Sequence, residues 1–290
     1  MSHPPALTRG LLLLMLTAAP GWASDGPVVG EPRVVLELSG LQSCVFATPD
    51  PAHPALVCGR FSEAAFAWEL LRVPLDGGEP EVIGYGRQPD VRGSMMVWVG
   101  TEPTREGVWL DDLADDAPPE RLTDSLQMTQ PSIAADGRTV ACTRHTDRRD
   151  GIYLLRPGQK DAERLAWRDE RRPVWGPVGV TMLAIKTDQV WLLEAPRWQE
   201  LVSERLTDSG MVHFDPAWGP HARWITFAAG WTAERAGVGL MRLADRRGWW
   251  FAPGVAGVRS PSISADGTKL SFVAGEGEDA TLYVCDLELP

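Results

Sequence analysis

An identical six-residue repeat is the feature that most limits how this chain can fold. The string Glu-Arg-Leu-Thr-Asp-Ser occupies residues 120–125 and again residues 204–209, and a shorter copy, Glu-Arg-Leu-Ala, lies between them at residues 163–166. The middle copy divides the 84-residue offset into two periods of about 42 residues. A repeat of that length is typical of a propeller blade, in which each period forms one small antiparallel sheet.

A proline marks the start of each repeat. Spacings of 42 to 45 residues separate these prolines, which are Pro89, Pro131, Pro173, Pro216 and Pro261. A step of 42 residues back from the first of them reaches Ala47, where we expect an earlier repeat to open. Two repeats continue into the turn Ala-Asp-Gly, at residues 135–137 and 265–267. Asp-Gly between apolar runs predicts a hairpin, because glycine adopts φ > 0 at no steric cost.

The rest of each period divides into three further strands. A second strand follows nine residues after the proline, a third carries an aromatic residue between aliphatic ones (residues 152–154 and 190–192), and the fourth is the Glu-Arg-Leu string. Four strands of five or six residues with short turns account for 42 residues. The sequence therefore predicts an all-β fold, a six-bladed β-propeller with four-stranded blades that begin near residues 43, 87, 129, 171, 214 and 259.

The last repeat lacks a fourth strand, because the chain ends just after its third. Residues 30–35 (Gly-Glu-Pro-Arg-Val-Val) resemble residues 78–83 (Gly-Glu-Pro-Glu-Val-Ile), which form the fourth strand of the first repeat. We therefore expect the N-terminal strand to complete the last blade and close the ring. Closure protects sheet edges that would otherwise pair with other chains.

Residues 1–23 have the pattern of a secretory signal peptide. Arg9 precedes an apolar stretch at residues 11–19, and Gly21 and Ala23 place small residues at the two positions that a signal peptidase reads, which predicts cleavage after Ala23. The apolar stretch is shorter than the roughly 20 residues that span a bilayer. We expect residues 24–290 to form one propeller in the periplasm or outside the cell, with no insertion into the membrane.

Charge and cysteine content narrow the possible partners. The chain has 39 acidic against 28 basic residues and a net charge of −11, which argues against nucleic-acid binding because that binding depends on neutralising phosphates. We expect a monomer. Cys44 and Cys58 either pair on adjacent strands of one blade or stay reduced, whereas Cys142 and Cys285 fit small buried apolar positions.

The repeat resembles the TolB-like family of six-bladed β-propellers. The resemblance rests on the Pro-x-(Ile/Trp)-(Ser/Ala/Gly)-x-Asp-Gly turn, the aliphatic–Tyr/Trp–aliphatic strand and the Arg-Leu-Thr-Asp string, and it covers about residues 30–290. It implies a periplasmic or secreted propeller that serves as a protein-interaction platform. The α/β domain that precedes the propeller in TolB has no counterpart in this sequence, so only the propeller half of that protein is expected here.

Loops that join one blade to the next converge on the propeller axis, where they form a funnel that suits ligand binding. We expect this funnel to be rimmed by the residues around each proline: Gln88, Gln130, Arg171, Arg172, His213, Phe214, Asp215, Arg259 and Ser260. The three arginines would favour an acidic or C-terminal carboxylate partner. The alternative is local ion pairing of these arginines with Asp169, Glu170 and Asp215.

Two further loop residues, His145 and Trp231, are candidates for the same face. His145 and His213 would be metal ligands or an acid–base pair if they converge, and plain polar loop residues if they do not. Trp231 is either an anchor for a peptide or sugar ring or part of the packing between blades. No Gly-x-Ser-x-Gly motif occurs, and no catalytic residue, metal site or cofactor is predicted.

The sequence thus favours an exported, non-enzymatic propeller that binds an envelope or secreted protein or peptide. One alternative is a carbohydrate-active or metal-dependent propeller enzyme, a lyase or a hydrolase. Another is a carbohydrate-binding module.

Overall fold

The computed structural model describes residues 26–47, 54–146, 150–167, 169–177, 181–197, 200–232, 235–275 and 279–290. The predicted signal peptide and His53 lie outside these residues. No helix in the described ranges is long and apolar enough to cross a membrane.

The regular secondary structure of the described residues consists of β-strands, apart from a short 3-10 turn at Pro220–Ala222. The strands of these residues are, in chain order, β1 (Val28–Val29), β2 (Arg33–Glu37), β3 (Leu41–Ala47), β4 (Ala55–Ser62), β5 (Ala67–Pro74), β6 (Glu81–Tyr85), β7 (Arg87–Arg92), β8 (Met95–Gly100), β9 (Gly107–Asp112), β10 (Glu120–Thr123), β11 (Met128–Ile133), β12 (Val140–Arg144), β13 (Gly151–Leu155), β14 (Glu163–Trp167), β15 (Arg171–Trp175), β16 (Thr181–Lys186), β17 (Gln189–Arg197), β18 (Glu200–Arg205), β19 (Val212–Trp218), β20 (Trp224–Gly230), β21 (Gly237–Arg242), β22 (Arg247–Phe251), β23 (Arg259–Ile263), β24 (Lys269–Ala274) and β25 (Thr281–Glu288).

These strands form six antiparallel sheets, the blades of a propeller. Blades 1 to 5 are β3–β6, β7–β10, β11–β14, β15–β18 and β19–β22, and each is a meander in which consecutive strands pair. The first strand of every blade contacts the first strand of the next one, including β23 of blade 6 against β3 of blade 1, so the ring is closed. The predicted all-β, six-bladed fold is confirmed.

Blade 6 is closed by the N-terminal segment, as predicted. Strand β2 pairs antiparallel with β25, with Arg33 opposite Val284 and Leu36 opposite Leu282. The short strand β1 extends the same edge, where Val28 lies opposite Glu288. The fourth position of this blade is therefore filled by two consecutive strands, and β2 also contributes apolar side chains to the core between blades 6 and 1.

The repeated Glu-Arg-Leu string is explained by packing between blades. Leu122 at the end of β10 and Leu206 just after β18 are both buried, each in the apolar core that its blade shares with the following one. Leu165 of the degraded copy packs in the same way against the next core along the ring. The glutamate and arginine before each leucine lie at the outer edge of the blade, where exposed strands carry charge.

The predicted Asp-Gly hairpins are present. Gly137 has φ +68°, and Asp136 Oδ1 accepts hydrogen bonds from the N–H groups of Arg138 and Thr139, at 2.8 Å each. Burial alone would raise the pKa of Asp136, but the hydrogen bonds from Thr139 and Arg138 outweigh it and hold that pKa below its ordinary value.

The start of the first repeat is shifted from its expected position. In blade 4, Trp175, two residues after the repeat proline, pairs with Met182 of the second strand. The equivalent pair in blade 1 is Phe46 and Leu56, so the residue of the first strand lies before Ala47 and not after it. This register places Cys44, three residues before Ala47, in the slot that proline holds elsewhere. The 42-residue step fails because the connection between β3 and β4 is longer than its counterparts in the other blades. Cys44 lies directly opposite Cys58 and forms a disulfide with it, so the paired alternative is the one found.

Candidate functional site

The five repeat prolines are buried and lie at a β-bulge near the start of an innermost strand, where the strand register shifts by one residue. The residue before each proline has a left-handed backbone with φ between 47° and 54°, a conformation uncommon outside glycine and disfavoured before proline. We call these residues the pre-proline belt: Gln88, Gln130, Arg172, Asp215 and Ser260. A bulge of this kind re-aims a side chain out of the normal alternation of a strand, and here every belt residue lines the central cavity.

Hydrogen bonds link the belt from one blade to the next. Gln88 Oε1 accepts a hydrogen bond from the N–H of Gln130 at 2.9 Å. Thr143 Oγ1 donates to Gln130 Oε1 at 3.0 Å and accepts from the N–H of Arg172 at 2.8 Å. These bonds join blades 2, 3 and 4 and satisfy amide groups that the bulge removes from the sheet.

In blades 4, 5 and 6, an ion pair and a hydrogen bond to a carboxylate hold the belt. The Arg172 guanidinium pairs with the Asp215 carboxylate, and Asp215 Oδ2 accepts a hydrogen bond from the N–H of Ser260 at 2.9 Å. Burial lowers the pKa of Arg172 to about 10, and repulsion from Arg171 adds to this effect. Arg259 then bridges blade 6 to blade 1, donating from Nη2 to the carbonyl oxygen of Leu41 at 2.7 Å.

The belt surrounds a cavity of about 700 Å³ on the propeller axis. The cavity is lined by residues from all six innermost strands and by Phe61, Glu63 and Trp68 of blade 1. It belongs to the funnel face, which we define as the face that carries the loops between each fourth strand and the next blade. A concave site of this size, built on rigid strands, is large enough for a few amino-acid residues of a ligand.

Deeper in the cavity, the side chain of Asp90 is tied to the neighbouring blade. Its Oδ2 accepts a hydrogen bond from the N–H of Ile133 at 2.8 Å. Burial raises the pKa of Asp90, against the opposing effects of that bond and of Arg92. Arg92 lies at the far end of the same strand and donates to the carbonyl oxygens of Trp175 and Gly176, both at 2.8 Å, which ties blade 2 to blade 4.

The predicted arginine cluster is divided by its partners. Arg171 points away from the cavity and pairs with Asp188 at 2.6 Å, and Arg172 pairs with Asp215. These two residues therefore follow the alternative of local ion pairing, although Arg171 takes Asp188 and not the expected Asp169 or Glu170. Arg259 has only backbone carbonyl oxygens as partners among the described residues, and burial lowers its pKa.

His213 and Phe214 do not rim the funnel as expected. His213 is 3% exposed, packs against the Phe227 ring at 5.2 Å and makes contacts of 3.3 Å with Ser209 Oγ and the Asp188 carbonyl oxygen. Burial lowers the pKa of His213. Phe214 packs against the core between blades 5 and 6. Both side chains pack against neighbouring strands, and neither lines the cavity.

His145 lies in an exposed loop of blade 3 and does not line the cavity, whereas His213 is enclosed in blade 5. Across the described ranges, no group of three or more His, Cys, Asp and Glu side chains could hold a metal ion.

Several residues that line the cavity were missed by the sequence reasoning, among them Ser43, Phe61, Trp68 and Arg87. Arg87 stands two residues before its proline, the position that Arg171 and Arg259 hold in their repeats, so the repeat alignment contained a signal for it. Phe61 and Trp68 lie opposite each other on β4 and β5, and no repeat signal marks this end of the hairpin as part of the cavity wall. Ser43 was hidden by the shifted start of the first repeat.

Exposed apolar residues concentrate on the funnel face. Trp231 is 69% exposed in the loop between β20 and β21, and Phe66 is 85% exposed in the corresponding loop of blade 1. Phe66 continues into a cluster with Phe61, whose ring lies 5.8 Å from that of Phe66 and 5.6 Å from that of Trp68. Trp231 is thus mostly exposed, with the edge of its ring near Gly210 in the connection between blades 4 and 5.

Comparison with known proteins places the fold. Neither a protein-family profile nor a curated protein matches the sequence. Among solved structures, TolB from Acinetobacter baumannii superposes with a TM-score of 0.65 and 16% identity over 93% of this chain, which spans 66% of that chain, slightly less than two thirds. A protein assigned as TolB from Agrobacterium tumefaciens superposes with a TM-score of 0.61 and 17% identity, over 91% of this chain and 99% of that chain. An auxiliary nutrient binding protein from Bacteroides ovatus superposes with a TM-score of 0.62 and 13% identity, over 91% of this chain and 76% of that chain. At such identities the likeness concerns the fold, which is that of a TolB-like six-bladed propeller.

Proposed function

We propose that this chain is an exported, non-enzymatic binding protein that holds a protein or peptide on its funnel face, with one part of the ligand in the central cavity. TolB and a nutrient binding protein share the fold, and both names are compatible with a binding role. Partner, compartment and mode of binding are proposals, which rest on the features below.

The distribution of exposed apolar residues carries this proposal. Five of the large hydrophobic side chains that are exposed in the described residues lie at the funnel face: Phe66, Tyr85, Leu126, Val212 and Trp231. The others lie on outer strands, and the described turns of the opposite face have none. A contiguous exposed apolar patch is the usual mark of an interaction site, and Phe66 forms such a patch with Phe61 and Trp68 beside the cavity.

The rigid support of the cavity agrees with a binding role. The belt is held by hydrogen bonds and by the Arg172–Asp215 pair, so its strained backbone is fixed before any ligand arrives. A site that is already ordered loses little conformational entropy on binding. Left-handed, non-glycine residues of this kind often cluster at ligand sites.

The disulfide supports export. Cys44 and Cys58 are paired, and structural disulfides persist mainly in oxidising compartments such as the periplasm and the cell exterior. The signal-peptide pattern of residues 1–23 points the same way. We therefore propose that the mature protein acts in the periplasm or outside the cell.

The enzyme and carbohydrate alternatives have less support. An acid–base or metal-dependent reaction needs converging groups, whereas His145 is exposed on blade 3 and His213 is buried in blade 5. A carbohydrate platform uses several coplanar indoles, but Trp231 and Trp250, the exposed tryptophans of the described residues, lie on a funnel-face loop and an outer strand.

Site-specific photo-crosslinking in the envelope of the source organism tests the proposal. The photoreactive residue benzoylphenylalanine would replace Phe66 or Trp231 on the funnel face and, as matched controls, Asp116 or Arg138 in exposed turns of the opposite face. We expect discrete protein adducts from the two funnel-face positions and none from the controls. Adducts confined to Asp116 and Arg138, or none at any position, would contradict the proposal.

A further inference from the structure

We propose that Arg87, Ser43 and Trp68 form a subsite that binds a carboxylate group attached to an apolar or aromatic part of the ligand. This inference rests on the proposed function and names the chemistry that the cavity recognises. The carboxylate comes from a peptide C-terminus or from an acidic side chain, and the experiment below separates these two sources.

The first observation is a pair of buried polar atoms without partners. Arg87 Nε and Ser43 Oγ have almost no exposed surface and form no hydrogen bond with any described residue. Both residues line the cavity, on the adjacent blades 2 and 1. A buried donor that is left unsatisfied destabilises a fold, so such groups are rare unless something outside the chain satisfies them.

The second observation is the charge of Arg87. It pairs with no carboxylate among the described residues, although the chain carries an excess of acidic groups. Its counterpart Arg171, in the same position of blade 4, pairs with Asp188. Arg259, which also lines the cavity, has only carbonyl oxygens as partners, so two guanidinium groups at the cavity lack an anionic partner among the described residues.

The carboxylates that line the cavity do not fill that role. Asp215 is taken by Arg172, and Asp90 is held by the N–H of Ile133 deeper in the cavity. Glu63 is exposed at the rim, where water screens its charge. Arg87 is therefore left without a carboxylate partner at the cavity, and a guanidinium binds a carboxylate through two parallel N–H donors.

The third observation is the aromatic wall beside the cation. The Arg87 guanidinium carbon lies 5.9 Å from the centre of the Trp68 ring, and Phe61 continues the wall. A guanidinium over an aromatic face keeps the N–H groups at its edge free for an anion. The apolar part of the ligand would lie against Phe61 and Trp68 while its carboxylate reaches Arg87.

The backbone positions Arg87 for this contact. Gly86 has φ +149°, and a Cβ atom built there would lie 2.3 Å from Trp98 Cδ1, so no other residue fits without a shift. The N–H of Gly86 donates to the carbonyl oxygen of Trp68 at 2.9 Å, which ties the start of β7 to the aromatic wall. Cation and wall are thus fixed relative to each other.

Binding of three small probes to the mature protein tests the inference by calorimetry. The probes are N-acetyl-phenylalanine, its neutral amide, and N-acetyl-aspartyl-phenylalaninamide, whose only carboxylate is on a side chain. We expect the acid to bind at least about tenfold more tightly than the neutral amide, which is the size expected of one charge-assisted contact. An aspartyl probe that binds more tightly than the acid would identify a side-chain carboxylate as the preferred group, and one that binds no better than the amide would identify a C-terminal carboxylate. Equal affinity of the aspartyl probe and the acid would show that the subsite accepts both.

The variants Arg87→Gln and Arg171→Gln form a matched pair, because each removes one arginine from the same repeat position. We expect Arg87→Gln to lose at least about tenfold in affinity for the acid and Arg171→Gln to stay within about twofold. A second readout is the ¹⁵N resonance of Arg87 Nε, identified by its loss in Arg87→Lys, which should shift with the acid and not with the amide.

Equal affinity of acid and amide, equal effects of the two variants, or no binding of any probe would overturn the inference. The crosslinking experiment keeps this outcome separate from the proposed function. Adducts at Phe66 and Trp231 that persist in an Arg87→Gln background, together with failed probes, would remove the carboxylate subsite alone. Absence of adducts in the wild-type background would remove the proposed function itself.

Discussion

Two sides of the same cavity rim are built differently. On the side of blades 4 to 6, Arg172, Asp215 and Ser260 satisfy one another through an ion pair and a hydrogen bond. On the side of blades 1 and 2, Ser43 Oγ and Arg87 Nε have no partner among the described residues. Because the repeat places equivalent residues on both sides, the difference lies in the side chains and not in the fold.

We infer from this comparison that the polar groups of blades 4 to 6 support the fold and that those of blades 1 and 2 bind a ligand. A satisfied set of polar groups stabilises the fold and leaves little capacity to bind anything else, whereas an unsatisfied set is retained at a cost in stability. Such costs are tolerated where a group acts on a ligand. We therefore expect substitutions to lower stability on the first side and to alter binding on the second.

The largest effect should come from opening the ring, on which both sides depend. Deletion of residues 24–40 removes β1 and β2 and uncovers the edge of β25 together with the core between blades 6 and 1. We expect the cooperative thermal transition to disappear, since a loss of roughly 5 kcal/mol or more approaches the whole stability of a domain. Val34→Lys, an exposed change on β2, is the control, and a deletion variant that melts like wild type would refute the closure scheme.

The next effect concerns the disulfide that stands in the proline slot of blade 1. The double variant Cys44→Ala/Cys58→Ala should lose about 3 kcal/mol in chemical unfolding, the size expected for a cross-link over a short loop. Reductant should lower the free energy of unfolding of the wild type to that of the double variant, and it should leave the free energy of unfolding of the variant unchanged. Cys142 and Cys285 carry free thiols, so the reductant has no second disulfide to break. Destabilisation of the double variant by reductant would show that another cysteine contributes.

Asp215→Asn tests the satisfied side. Asparagine tolerates the left-handed backbone of this position, so the change removes charge and leaves the conformation. We expect a loss of about 2 kcal/mol by urea unfolding, because Arg172 stays partly buried without its partner. Asp188→Asn breaks the exposed pair with Arg171 and should cost less than about 0.5 kcal/mol. Equal losses of unfolding free energy in the two variants would mean that the partial burial of the Arg172–Asp215 pair adds nothing to stability.

Arg87→Met tests the open side. The change removes a buried donor that has no partner and keeps apolar contact with Trp68. We expect the free energy of unfolding to stay within about 1 kcal/mol of wild type, with any change toward greater stability. A loss as large as that of Asp215→Asn would show that Arg87 is structural and would erase the contrast between the two sides.

The smallest effect should be a pH dependence on the satisfied side. Burial lowers the pKa of His213, so the unfolded chain takes up a proton at a higher pH than the folded one. The contribution of neutral His213 to stability is thus full above about pH 6.5, the ordinary pKa of histidine, and falls as the pH drops below it. Melting temperatures at pH 7.5 and 5.5 should differ less in His213→Gln than in wild type, while the exposed His145→Gln should leave the difference unchanged.

Local patterns in the chain were enough to predict the architecture. The 42-residue period, the Asp-Gly turns and the likeness of residues 30–35 to residues 78–83 led to six blades and to closure by the N-terminal strand, because turn residues and alternation act over short distances. The same alignment placed Gln88, Gln130, Arg172, Asp215 and Ser260 around the axis, since one backbone position recurs in every blade. It failed for Cys44, where a longer connection shifted the repeat.

Which side chains of the rim are free was decided only in three dimensions. Arg87, Arg171 and Arg259 share one repeat position, yet one stacks on Trp68, one pairs with Asp188 and one bridges two blades through carbonyl oxygens. Likewise, the sequence could not tell buried His213 from exposed His145. Partners around the ring come from blades more than 40 residues apart, and no short-range pattern encodes them; hydrogen bonds and burial depend on distances that exist only once the ring has closed.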